Sequence, residues 1–264
     1  MNLHDPADPQ TPGVVLVGGL DPGGGAGVLR DLLTAIELGA QATVVATCIT
    51  EQDAAAVTSV EPRDPERFSH SLAATLARVP EACVKVGMVA SAGIARAVAE
   101  SLRGFRGKVV YDPVLRASSG GKLYDGHREA ILDLARRVTL LTPNLGEAAW
   151  LLDRPVVTAA DAEIAARDLM ALGIPAVLVK GGHLAGDATD VLIDSDGQRI
   201  FTNPRIAGPS PRGTGCALAT AITVGLAQGQ DLPSAVEGAK AWLTLKIAGA
   251  IKVGNEWHLS TDRT

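Results

Sequence analysis

The chain is 264 residues long, 47% hydrophobic, 3% aromatic and 20% charged, with 29 glycines and a formal charge of −5. That length suits one large α/β core, and the acidic balance with no lysine/arginine-rich run excludes a nucleic-acid footprint or a membrane-surface stripe, which leaves a small-molecule partner. Cys48, Cys83 and Cys216 are odd in number and widely spaced, which excludes a disulfide framework or a structural zinc site and fits a reducing cytoplasm.

Residues 1–12 are polar and lack the basic and apolar regions of a signal peptide, so they read as a flexible tail before a single domain over 13–264. No apolar run approaches membrane-spanning length. The apolar run 14–17 predicts a strand buried on both faces, ended by Gly18 and Gly19. A glycine loop from 20 to 27 opens a helix on which Val28, Leu29, Leu32, Leu33 and Ile36 follow a 3.6 period, with Asp31 early in it. A second strand over 42–49 runs into Thr50-Glu51-Gln52-Asp53, where apolar residues stop.

Phe68, Leu72, Leu76 and Val79 place a helix over 65–79, followed by a strand over 83–89 with Gly87 and Met88 near its end. Helix 92–102, strand 108–111, helix 127–137 and strand 138–141 follow, with Asp112-Pro113 and Thr142-Pro143-Asn144 at the strand ends. A helix carrying Glu147 and Trp150, a helix over 160–172 and a strand over 176–180 lead to Gly181-Gly182-His183. Residues 190–193 and 198–201 flank Ser195-Asp196-Gly197, the signal of an edge hairpin. Gly213 and Gly215 make a turn that opens an alanine-rich helix reaching 228, and a last helix over 234–250 carries Trp242. This alternation predicts an α/β fold with a mostly parallel central sheet and helices on both faces, whose ligands bind beyond the carboxyl ends of the strands.

Several chemistries fail on spacing. The loop at 23–27 is not followed by the lysine of a nucleotide-binding P-loop, and it lacks the glycine spacing of a dinucleotide fingerprint. Ser210 lies in Gly-Pro-Ser-Pro-Arg, which is not a nucleophile elbow, and the five histidines show no metal-ligand spacing. What remains is phosphate chemistry. The first amides of the helix after Gly213 have no intrahelical partners and face an anion with the positive end of the macrodipole. Cys216 falls in that first turn, where the same field favours a thiolate able to take a proton from an attacking hydroxyl; the alternative is a small buried core residue. Asp112 and Glu147 offer carboxylates to a phosphate-bound magnesium or, equally, act as loop and cap residues. Lys180 closes an apolar strand, either as a phosphate contact or as a snorkelling side chain. Gln52 pairs a donor with an acceptor, matching the amidine-like edge of an aminopyrimidine, although most glutamines are only solvated.

The segments Gly19 to Gly27, Asp31-Leu32, Gln52, Lys85-Val86-Gly87-Met88, Asp112-Pro113-Val114, Thr142 to Ala148, Val179 to His183 and Gly213-Thr214-Gly215-Cys216 resemble, in order and spacing, those of hydroxymethylpyrimidine/phosphomethylpyrimidine kinases. The resemblance spans 14–250 and implies a ribokinase-like, three-layer αβα fold. It implies Cys216 as base and Gly213, Thr214 and Gly215 as anion hole. Lys180 and Asn144 would contact ATP phosphates, and Asp112 and Glu147 would assist Mg2+. Gln52, Gly19, Asp31 and Met88 would line the pyrimidine pocket. It also implies a homodimer, and it leaves a monovalent cation open. The implied activity is ATP-dependent phosphorylation of 4-amino-5-hydroxymethyl-2-methylpyrimidine and of its monophosphate in thiamine biosynthesis. A pyridoxal kinase and a non-catalytic pyrimidine sensor are the alternatives; Gln52 favours the pyrimidine, and the retained Cys216, Lys180 and glycine turn favour catalysis. Three departures from the family pattern stand out: Leu20 for serine or threonine, Glu51-Gln52-Asp53 for Ala-Gln-Asn, and Arg212 for histidine. Arg212 adds a phosphate contact or has no role, a choice the sequence leaves open.

Overall fold

The computed structural model describes residues 12–52, 56–117, 119–182, 186–208 and 210–261. The expected flexible tail lies outside these residues except for Pro12, as do Asp53 and His183. In chain order the elements are β1 (Gly13–Leu20), α1 (Gly27–Glu37), β2 (Gln41–Gln52), β3 (Val57–Pro62), α2 (Pro65–Arg78), β4 (Cys83–Val86), α3 (Ala92–Ser101) and β5 (Val109–Tyr111). Then come α4 (Arg128–Ala135), β6 (Leu140–Leu141), α5 (Leu145–Leu152), α6 (Ala159–Ala171), β7 (Val177–Lys180), β8 (Ala188–Asp194) and β9 (Gly197–Asn203). The chain closes with α7 (Thr214–Ala227), α8 (Leu232–Ala248), β10 (Ile251–Val253) and β11 (Glu256–His258).

Nine strands form one sheet in the order β3-β2-β1-β4-β5-β6-β7-β8-β9. The run from β2 to β7 is parallel, and β3, β8 and β9 pair antiparallel at its two margins. The parallel core strands are apolar on both faces because helices cover both. Val15 and Val17 of β1 pack with α2 to α6 on one face, whereas Val14 and Leu16 turn to α1 and α7 on the other. Alternate residues of each strand thus serve opposite cores, as the period of two demands. Phe68, Leu72 and Leu76 of α2 are buried in the first core, as their spacing predicts. Helix α7 is buried almost throughout from Ala217 to Leu226, which explains its small residues: a bulkier helix would not fit between the sheet and α1 and α8.

Helix starts are fixed locally. Asp64, Ser91 and Asp231 cap α2, α3 and α8, and Asn144-Glu147 and Thr158-Asp161 form reciprocal capping boxes on α5 and α6. Strand limits depart from expectation in several places, and β2 runs on through the polar residues Thr50 and Glu51 to Gln52. Strand β1 continues through Gly18 and Gly19 to Leu20, with Gly18 paired to Ala46 and Leu20 to Ile49 of β2 across a register shift at Gly19. Strand β4 ends at Val86 rather than 89, and Met88 just beyond it lines the cavity. Strand β6 keeps only Leu140–Leu141 of the expected 138–141.

Candidate active site

The carboxyl ends of β1, β2, β4, β5, β6 and β7 and the start of α7 enclose an open cavity of about 420 Å³. All twelve residues singled out from the sequence line it: Gly19, Asp31, Gln52, Met88, Asp112, Asn144, Glu147, Lys180, Gly213, Thr214, Gly215 and Cys216. Strand order brings them together from positions almost two hundred residues apart.

The glycine turn is built as its residues require. Gly213 has φ +73°, and a Cβ there would lie 2.4 Å from Gly25 O and 3.1 Å from Ala26 Cα. The turn before α7 therefore rests directly on the loop before α1. Ala217 N–H, bonded to Gly213 O, is the first intrahelical donor, so the amides of Thr214, Gly215 and Cys216 precede the ladder. The Gly27 N–H at the start of α1 favours the Cys216 anion, so the sulfur lies near the starts of two helices, α1 and α7.

The expected thiolate is nevertheless not what this environment favours. Burial first, then the charges of Asp31 and Asp112, push the Cys216 thiol up to about 11 against the pull of Lys85 and the Gly27 N–H. Two helix starts do not outweigh desolvation and two carboxylates.

Below the thiol lies a buried network. Lys85 Nζ is 2.7 Å from Asp31 Oδ2, and Thr220, one helical turn beyond Cys216, donates to Asp31 Oδ1 at 2.9 Å. Asp31 thus faces the cavity with both carboxylate oxygens already engaged. Burial raises the pKa of Asp31, although Lys85 lowers it. Burial would lower that of Lys85, but the charges of Asp31, Cys216 and Asp112 hold it above its ordinary value. For this pair the charged state is the consistent one, because each partner removes the cost of the other.

On the opposite wall, Lys180 Nζ meets Asp112 Oδ1 at 2.5 Å, and Thr142 donates to the same oxygen at 3.3 Å. The sequence assigned Lys180 and Asp112 separate roles; the structure joins them into one ion pair. Asp112 Oδ2 has no hydrogen-bond donor among the described residues and faces Gly215, where an added Cβ would lie 3.5 Å away. Glu147 fulfils its capping alternative and Asn144, expected only as a phosphate contact, joins it: Asn144 Oδ1 accepts from Glu147 N–H at 2.9 Å, and Glu147 Oε2 accepts from Asn144 N–H at 2.8 Å. Burial pushes the Glu147 carboxyl up to about 7, partly offset by Lys180 and reinforced by Asp112. Two buried carboxylates, one with an unclaimed oxygen and one short of positive charge, suit a magnesium ion whose other ligands are phosphate oxygens and water. Among the described residues no group of three or more His, Cys, Asp or Glu forms a protein-only metal cage.

The other end of the cavity is apolar. Met88, Val114, Ala117 and Leu123 line it, and Cys48 backs it with its sulfur 3.8 Å from Met88 Sδ. Gly19 needs its missing side chain, since a Cβ would lie 2.9 Å from Met88 Sδ and 3.0 Å from Cys48 Sγ. Gln52, at the end of β2, lines the cavity and donates from Nε2 to Thr50 Oγ1 at 3.1 Å, while its side-chain carbonyl oxygen has no donor among the described residues. A flat, weakly polar ring fits between these groups.

Three sets of pairings in or beside the cavity were not read from the sequence, although Arg212 itself was singled out. Lys85 was part of a motif but had no role; Asp190 and Lys240 form a buried pair at 2.6 Å. Asp21, Arg212 and Glu256 are joined by contacts of 3.2 and 3.1 Å. The last links residues 191 and 44 positions apart, and no local pattern announces such pairings.

The sequence matches the phosphomethylpyrimidine kinase family over residues 21–262. It is 40% identical to the hydroxymethylpyrimidine/phosphomethylpyrimidine kinase of Rhizobium meliloti over 239 residues, covering 89% of this chain and 90% of that one. Among solved structures it is similar to the phosphomethylpyrimidine kinase of Clostridium difficile, with TM-score 0.75, 30% identity and coverage of 89% and 99%. It is also similar to an ADP complex of Bacillus subtilis pyridoxal kinase, with TM-score 0.85, 27% identity and coverage of 95% and 97%.

Proposed function

The chain belongs to the phosphomethylpyrimidine kinase family, and from that premise we propose that it transfers the γ-phosphoryl group of ATP to hydroxymethylpyrimidine and then to its monophosphate, in thiamine biosynthesis. The observation that carries this reading is the meeting of the loop before α1 and the turn before α7 at the Cys216 sulfur. An acceptor hydroxyl beside that sulfur lies next to the free amides of Thr214, Gly215 and Cys216, which would hold the transferring phosphoryl group. Phosphoryl transfer asks mainly for position and charge stabilisation, so proton removal contributes less than alignment.

In this reading the ring lies against Gly19, Met88 and the apolar wall, with Gln52 at its amidine edge. Lys180 and the Asn144 side-chain amide face the nucleotide phosphates. Asp112 and Glu147 would hold magnesium, which supplies neutralisation of phosphate charge when bound. Asp31 acts through Lys85 and Thr220 as much as on the ring. Cys216 serves as base only after losing its proton, and Lys85 and Gly27 N–H are the groups that favour the anion. We further propose a homodimer in the cytoplasm, where ATP and three free cysteines coexist; sedimentation velocity reads the dimer directly. Monovalent-cation dependence is read by replacing potassium with tetramethylammonium in the assay.

The likeness to pyridoxal kinase favours B6 vitamers as the second reading. ADP release with hydroxymethylpyrimidine, its monophosphate and pyridoxal, side by side, separates the two. Turnover of the pyrimidines supports the first reading. Turnover of pyridoxal alone supports the second, and saturable pyrimidine binding without ADP release points to a ligand sensor.

A further inference from the structure

Arg212 immediately precedes the anion-hole turn and lines the cavity, with its side chain only 15% exposed. Its two terminal nitrogens reach Asp21 Oδ2 at 3.2 Å and Glu256 Oε2 at 3.1 Å. A guanidinium carries five N–H donors, so three have no acceptor among the described residues. The group is also seated: a Cβ added at Gly25 would lie 3.5 Å from its NH1, and Arg212 N–H bonds Trp257 O at 3.3 Å. Asp21 is in turn fixed by the N–H groups of Gly23 and Ala26, both at 3.1 Å. The arginine is therefore a preorganised fork on the side of the cavity formed by the loop before α1. The three cavity lysines are otherwise engaged, Lys85 with Asp31, Lys180 with Asp112 and Lys240 with Asp190.

The second phosphorylation makes a demand that the first does not. Its acceptor carries about two negative charges, and it enters a cavity lined by five carboxylates, of which Asp31, Asp112 and Asp190 already hold the three lysines. The other two arginines of the lining, Arg116 and Arg205, are exposed and donate to backbone carbonyls, which leaves Arg212 as the mostly buried guanidinium of the lining. Without a facing cation that acceptor is repelled while the uncharged alcohol is not. We propose that Arg212 is the specificity-determining residue for the phosphorylated acceptor: its remaining donors take the substrate's own phosphate, while Asp21 and Glu256 hold the fork in place. The inference rests on the kinase reading given above. It also gives a function to the C-terminal β10–β11 hairpin, which supplies Glu256.

The test is kcat/KM for the alcohol and for its monophosphate, measured separately on the full chain and on R212A, R212K and E256Q. The informative quantity is the monophosphate-to-alcohol ratio, because general damage to the turn lowers both values together. Losing a charge-assisted phosphate contact should lower that ratio about 10- to 100-fold in R212A. R212K, which keeps the charge and not the fork, should fall between R212A and wild type. The monophosphate KM of the wild type should rise with salt more steeply than that of R212A. Should R212A prove unfolded by thermal melt, R212K and E256Q carry the comparison, and a shift in the ratio is expected in each. A ratio within about twofold of wild type in every folded variant overturns the proposal, whatever the absolute losses. A wild type that phosphorylates the alcohol alone overturns it as well, leaving the kinase reading in place; a wild type that turns over neither pyrimidine removes that reading and this inference with it.

Discussion

At the scale of single residues, Cys216 gives the sharpest expectations. As a base it should be worth about 10²- to 10⁴-fold in kcat, so C216A should lose that much while calorimetry shows unchanged nucleotide affinity. With its thiol held up to about 11, the reactive anion grows with pH, so kcat should climb through pH 9.5 instead of levelling near 8. A plateau near neutrality would mean that a different group takes the proton. Glu147 has the same direction of shift and a consequence for stability. Its folded pKa of about 7 exceeds the unfolded value of 4.5, so between these the folded state binds more protons. Stability is fully present below the unfolded value and is lost as pH rises through about 7, by about 3 kcal/mol at most. Urea melts at pH 5 and 7.5 should differ in the wild type and converge in E147Q, which keeps the cap acceptor. The sequence made the identities of these residues legible because each sits beside a glycine, proline or strand end. It did not reveal their protonation, since burial and the positions of Asp31, Asp112 and Lys85 come from strands and helices far apart in the chain.

At the scale of elements, the core strands and helices such as α2 were readable because period and apolar run length report burial. Helix α1 departs from its expected period: Leu33 and Ile36 are exposed while Arg30 and Asp31 are buried, because α7 and the cavity lie on that side. The strands that were missed are those whose pairing does this work instead. Strand β3 is short, exposed on one side and paired only to β2, and β10 and β11 find each other across two turn residues. Their positions matter more than their composition suggests, since β11 carries Glu256 to Arg212, while Leu259 just beyond it accepts from Arg30 at 3.4 Å. The α1 start shows the reverse case, where one residue type is dictated by geometry. Gly27 has φ +62°, and a Cβ there would lie 2.3 Å from Gly19 O. Gly27→Ala should cost at least about 2 kcal/mol in a urea melt, from left-handed strain and backbone collision together. An alanine variant of unchanged stability would show that β1 and α1 are free to separate.

For the whole molecule, one sheet runs from β3 to β9 with helices on both faces, and no break in pairing divides it. Unfolding should therefore be a single cooperative event. Trp150 on α5, Trp242 on α8 and Trp257 on β11 report on three separate regions, so fluorescence and far-UV circular dichroism should give one coincident urea transition. Two resolved transitions would show independent units. The alternation of elements made this architecture legible early; the sheet order, with β5 central and the antiparallel pairs outermost, needed the long-range pairings themselves. Within that frame, the contact of Gly213 with the Gly25 carbonyl has a dynamic meaning. The loop before α1 and the anion-hole turn pack backbone against backbone with no room for a side chain between them, so they are expected to move together. A hinge that releases ADP and the phosphorylated ring is then expected elsewhere, with the floor of the reaction kept intact from one turnover to the next.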